Sequence, residues 1–73
     1  MAKREKLIEF RGDNSQETMA KRYGVSQQAW WKWENGESLP EAPLMLRLEK
    51  DSGIPMEELF FDKFNNETSL NPA

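Results

Sequence analysis

The chain has no cysteine and no histidine. The first absence excludes disulfides, and the two together remove the ligands of a structural zinc site and the residue types that most often act as thiol nucleophile or neutral-pH base. Gly-rich phosphate loops are missing too, and the acidic residues are spread along the sequence, so no catalytic constellation is expected. No apolar run approaches the eighteen or so residues that span a bilayer, and Met1 to Lys6 carries no apolar signal segment, which leads us to expect a cytoplasmic protein without a membrane partner. Asn66-Glu67-Thr68 matches a glycosylation acceptor, but without a secretion signal it reads as polar tail.

What is present is a single short domain of 73 residues with three tryptophans, four phenylalanines and one tyrosine. So small a domain buries a modest share of its surface, and without disulfide or metal its reinforcement has to come from aromatic packing or a partner. The net charge of -3 runs against nucleic-acid binding. Its distribution does not: residues 1–36 carry seven basic and five acidic side chains, a net of plus two, whereas residues 37–73 carry three basic and eight acidic, a net of minus five.

The pattern from Ser15 to Gly36 reads as two short helices, each opened by a serine, with Gly24 between them. A serine before a periodic segment accepts a hydrogen bond from a free N–H of the first turn, and a glycine supplies the left-handed conformation that stops the preceding helix. Leu7, Ile8 and Phe10 mark a first helix from Lys3 or Arg4 to Arg11, ended by the Gly12-Asp13-Asn14 turn. The second runs from about Gln16 to Tyr23 with Met19, Ala20 and Tyr23 on its buried face. Ala20 has to be small where the two helices cross. The third begins at Gln27 and extends to about Glu34. Trp30 and Trp33, three apart, belong to its core side, while Trp31 falls about 100° away and stays partly exposed. A fourth helix starts near Pro40 with Leu44, Met45, Leu46 and Leu48 as its apolar side, and a short fifth follows Pro55 through Met56 and Leu59 to Phe60 or Phe61.

The string SQETMAKRYGVSQQAWWKWENG resembles the helix-turn-helix core of the phage-repressor and Cro-like regulators, the XRE type. The likeness continues through Pro40, Gly53, Ile54, Leu59 and Phe60, covering roughly residues 3 to 61. The resemblance implies an all-α fold, a compact five-helix lambda-repressor-like DNA-binding domain over residues 1–64; residues 65–73, polar with a late proline, read as a disordered tail. The resemblance further implies a sequence-specific transcriptional regulator, a repressor, that inserts the helix from about Gln27 to Glu34 into the major groove of double-stranded DNA, with no cofactor.

In that family the positions of Gln27, Gln28 and Lys32 touch base edges: a glutamine amide pairs with adenine N6 and N7, and a lysine finds the acceptors of guanine. Backbone contacts are expected from Gln16 and Asn35, which match phosphate contacts of the family, and from Ser26, Arg11 and Trp31. Gln16 at the matching position binds phosphate and braces the first residue of the recognition helix. Asn35 has an equally good explanation as an ordinary helix stop with Gly36. For Trp31 two readings stand side by side: packing against sugar, phosphate or a thymine methyl, or covering neighbouring apolar surface. Two departures stand out. Many members carry Lys or Arg just after the E-N-G segment, where this chain has Glu37-Ser38-Leu39, and Ser52 replaces a large aliphatic.

Phe61 and Phe64 have little left to cover them in a compact domain, so they serve either a homodimer contact or packing of the tail onto the core. The rival to DNA binding is a protein-interaction module, regulatory or antitoxin-like, that keeps the fold and grips another protein through Trp31 and its neighbours. The acidic total favours the rival, whereas the three glutamines favour DNA.

Overall fold

A computed structural model describes residues 3–63, and over that range the chain is helical with no strand. Helix α1 spans Glu5–Arg11, α2 Gln16–Arg22, α3 Gln27–Glu34, α4 Ala42–Ser52 and α5 Met56–Leu59. A sixth helical segment, α6, opens after Phe60 and occupies 61–63, the end of the described range. The five-helix expectation is therefore corrected. Phe60 leaves the helical line as the cap of α5, at φ -122 and ψ 48, and the chain re-enters a helix at Phe61 instead of stopping. Phe64 and the tail 65–73, expected as a dimer contact and as a disordered segment, lie outside the described residues.

The unit from α2 to α3 is organised by its ends. Ser15 and Ser26 sit in extended backbone, and their hydroxyls accept from the Thr18 and Ala29 amides. Each cap of this kind stabilises its helix by about 1 kcal/mol. After α2, the Gly24 amide donates to Lys21 carbonyl oxygen and the Val25 amide to that of Ala20, the paired bonds of a Schellman stop. Gly24 holds φ 69, and a Cβ there would meet nothing within 4 Å. The demand for glycine is thus conformational, not steric. The same stop ends α3, where the Gly36 amide donates to Trp33 oxygen and the Glu37 amide to Lys32 oxygen. The E-N-G segment is this stop in sequence form.

The core joins all of the first five helices. Leu7, Met19, Ala20, Tyr23, Trp30, Trp33, Leu48, Leu59 and Phe60 are buried, and Val25 packs against them from the turn. Tyr23 stacks on Trp30 with centroids 5.7 Å apart, and Trp30 meets Trp33 at 5.4 Å. These rings supply the apolar mass that so short a chain needs. Contacts between α2 and α3 are the densest, with α1 on α3 and α5 bridging α1 and α4.

Helix α4 differs from the sequence expectation at its start and along one side. It begins at Ala42, with Pro43 in its first turn and Pro40 buried ahead of it. Glu41 provides the capping carbonyl for Leu44 and Met45. Of its apolar residues Leu48 is fully buried, but Leu46 faces solvent at 45% exposure. Its junction with α2 is partly polar. The Tyr23 hydroxyl donates to Asp51 at 2.7 Å, while Arg47 lies 4.4 Å over the Tyr23 ring and donates to the Arg22 carbonyl, which closes the end of α2. Burial of the phenol, with the Asp51 acceptor beside it, pushes the Tyr23 ionisation well above its ordinary range. Ser52, where the family pattern has an aliphatic, turns its hydroxyl to the Ile54 amide at 3.0 Å and so shapes the bend into α5.

Candidate nucleic-acid interface

Of the eight residues of α3, seven lie either inside or outside, and Ala29 is half-buried between them. Trp30, Trp33 and Glu34 are buried, and Gln27, Gln28, Trp31 and Lys32 are exposed. Gln27 and Trp31 form one row at a four-residue spacing, Gln28 and Lys32 the next, so the outward side chains make one continuous face. The Ser26 cap anchors the start of this face. Among the described residues no side-chain hydrogen bond ties down the amides of Gln27 and Gln28 or the ammonium of Lys32.

Two open clefts border the face. The first, about 480 Å³, is lined by Gln16, Gln27, Gln28 and Trp31, which brings four of the sequence-predicted residues together where the start of α2 meets α3. The second, about 230 Å³, is lined by Ser26, Gln28, Ala29, Lys32 and Ser38. Gln28 belongs to both and occupies the middle of the surface. Ala29 and Ser38 were not singled out from sequence. Ala29 follows Gln28 on the same helical turn, and Ser38 enters from the loop after the α3 stop.

Arg11 and Asn35 line neither cleft. Asn35 caps α3, its side-chain amide donating to the Trp31 carbonyl at 2.8 Å. Arg11 is held by the buried carboxylate of Glu34, Nε donating to Oε2 at 2.6 Å and Nη2 to Oε1 at 3.3 Å. The same carboxylate accepts from the Trp30 indole at 2.7 Å and from the Gln16 amide at 2.9 Å. Glu34 is thus a hub that joins α1, α2 and α3, and every buried polar side-chain atom of the described residues is satisfied. The resemblance pairs Gln16 with the first residue of the recognition helix. Here its amide nitrogen uses one of its two N–H groups to donate to Glu34 at the other end of α3, and the half-buried Gln16 also lines the first cleft. No sequence pattern flagged Glu34, because a glutamate at the end of a helix is ordinarily a solvated residue.

A second charged hub supports the far side of the site. Arg4 is completely buried, donates from Nη1 to the carbonyls of Trp33 at 2.8 Å and Ser38 at 2.7 Å, and pairs with Asp62 through Nε at 2.8 Å and Nη2 at 3.0 Å. Its guanidinium also lies 5.2 Å over the Phe60 ring. By binding the backbone at Trp33 and Ser38, Arg4 fixes the loop leaving α3. The Arg4 hydrogen bonds hold the Asp62 carboxyl below the usual carboxylate range, against the opposing effect of partial burial.

Phe61, one of the two residues expected at a dimer contact, is 36% exposed on α6. No helix among the described residues is long and apolar enough to cross a membrane. Comparison of the chain with protein-family models, with curated proteins and with solved structures finds no match.

Proposed function

We propose that the protein is a sequence-specific DNA-binding regulator of the phage-repressor and Cro-like kind, a repressor that works by occupying its operator through α3. The observation that carries this reading is the outward face of α3: two neighbouring glutamine amides and a lysine, exposed and without a side-chain hydrogen bond among the described residues, beside a third glutamine at the start of α2. A glutamine offers a donor and an acceptor together, the pair that adenine N6 and N7 require, and lysine serves guanine acceptors. Gln27, Gln28 and Lys32 are the base readers in this proposal. Gln16, Ser26 and Asn35 at the helix ends set register on the phosphates, and Arg11 steadies Gln16 through their common partner Glu34. A second copy docked through Phe61 would read a palindrome with half-sites about 34 Å apart.

Selection of bound sequences from a pool of random duplexes, followed by titration at low and high salt, tests the proposal. The expected result is an enriched, two-fold symmetric sequence whose affinity falls with salt. Gln28→Ala then relaxes discrimination at one position, while Gln16→Ala weakens binding to all sequences about equally.

The acidic balance, a net charge of -3 with a pI near 4.9, favours a second reading in which the same face grips a protein. Failure to enrich any sequence, with binding that does not respond to salt, would decide for that reading.

A further inference from the structure

We infer, on the basis of the DNA-binding reading above, that Trp31 reads the C5-methyl group of a pyrimidine close to the adenine taken by the glutamines. Three tryptophans lie within four positions, and their environments differ. Trp30 and Trp33 are buried in the core, whereas Trp31 is 42% exposed and lines the cleft whose other walls are the amides of Gln16, Gln27 and Gln28. Outside the helical ladder, and among the described residues, Trp31 bonds through its backbone carbonyl, which accepts from the Asn35 amide and from the Asn35 side chain. Its indole therefore adds a large apolar surface to an otherwise polar cleft, without being needed by the core.

The composition of that cleft selects its occupant. Carboxamides match a base edge that presents a donor beside an acceptor, and an indole wall requires something apolar within reach. In the major groove the apolar group is the methyl at C5 of thymine, and an A·T pair carries it together with the adenine donor and acceptor on one edge. Trp31 lies one helical turn beyond Gln27, about 6 Å along the axis. That reach corresponds to roughly two base steps at about 3.4 Å each. A cytosine methylated at C5 presents the same group, so the chemistry recognised is the methyl, whichever base bears it.

The experiment uses the full chain and the duplex obtained by selection. Each thymine in turn is replaced by deoxyuridine, which removes only the methyl, and the same position is filled with deoxycytidine or 5-methyldeoxycytidine. Affinity is read by anisotropy of a labelled duplex for the wild type and for Trp31→Ala, with circular dichroism reporting the fold of the variant. At one thymine per half-site, deoxyuridine weakens wild-type binding about fourfold, the worth of one buried methyl. The 5-methyl form of cytosine binds tighter than cytosine by a similar factor. Trp31→Ala binds the thymine and uracil duplexes equally. The inference is overturned if the wild type ignores the methyl at every position, a result independent of how the variant folds, or if Trp31→Ala keeps the preference. Either outcome on an enriched sequence leaves the DNA reading standing. Failure to enrich any sequence removes the reading and the inference together.

Discussion

The two sides of α3 are made on opposite terms. Toward the core, Trp30 and Trp33 are buried against Tyr23 and each other, and Glu34 accepts from Arg11, Gln16 and Trp30 until nothing is left unsatisfied. Toward solvent, Gln27, Gln28 and Lys32 are exposed. A helix of eight residues can hold both because its buried row is heavy enough to fix the backbone alone, so the outer row is released from any duty to the fold. Stability and recognition should accordingly separate under substitution.

The most damaging change on the inner side is Trp30→Ala. It opens a cavity beneath Tyr23 and Trp33 and strips one donor from Glu34, with an expected loss of about 3–5 kcal/mol. Against a total of about 5–15 kcal/mol for a native domain, this removes a large share of the margin, as a lowered midpoint in urea denaturation will report. A loss under about 1 kcal/mol would break the division between the two sides.

Glu34→Ala comes next. Arg11, Gln16 and Trp30 lose their common acceptor, and stability falls by about 1–3 kcal/mol in the same assay. This variant sharpens the comparison, because freeing Gln16 and Arg11 should also weaken binding to every duplex equally. A change confined to particular sequences would instead make Glu34 part of the reading surface.

On the outer side, Gln28→Ala should shift the denaturation midpoint by no more than about 0.5 kcal/mol, yet reduce discrimination at one base pair by about 1–3 kcal/mol. Equal damage to fold and binding would show that the outward amides hold the structure after all.

The last effect is one of pH. Asp62 has its ionisation lowered in the folded state by Arg4, so its contribution is fully present above the usual carboxylate value of about 3.9 and disappears as the pH falls through the lower, folded value. Acidification below about pH 4 should therefore reduce stability. Asp62→Asn should remove that part of the dependence and be less stable than the wild type at neutral pH, as denaturation at pH 7 and pH 3 will show.

Local signals in the sequence are legible where one residue type has one physical use. Ser15 and Ser26 cap, Gly24 turns left-handed, and Trp30 and Trp33 follow the helical period into the core. The outward placement of Gln27, Gln28 and Trp31 followed from the same period. Less was legible where the outcome depends on distant partners. Arg4 and Glu34 belong to residue types that are almost always solvated, and only the folded chain brings Asp62, the Trp33 carbonyl and Arg11 to them. The start of α4 is ambiguous in the sequence because two prolines lie three positions apart and either can open a helix. Leu46 has the residue type of a core position, yet it lies between the positions that face inward and is exposed. The sixth helix escaped because the chain pauses for a single residue at Phe60 before helical backbone resumes.

The clasp between Arg4 and Asp62 spans 58 positions of sequence with two hydrogen bonds. Such a closure ties the first turn of the protein to its sixth helix, so fraying at one extremity must be felt at the other. Proteolytic trimming past either residue would unseal Phe60 and the loop behind α3 at once, and loss of the margin would appear as a cooperative collapse instead of a ragged end.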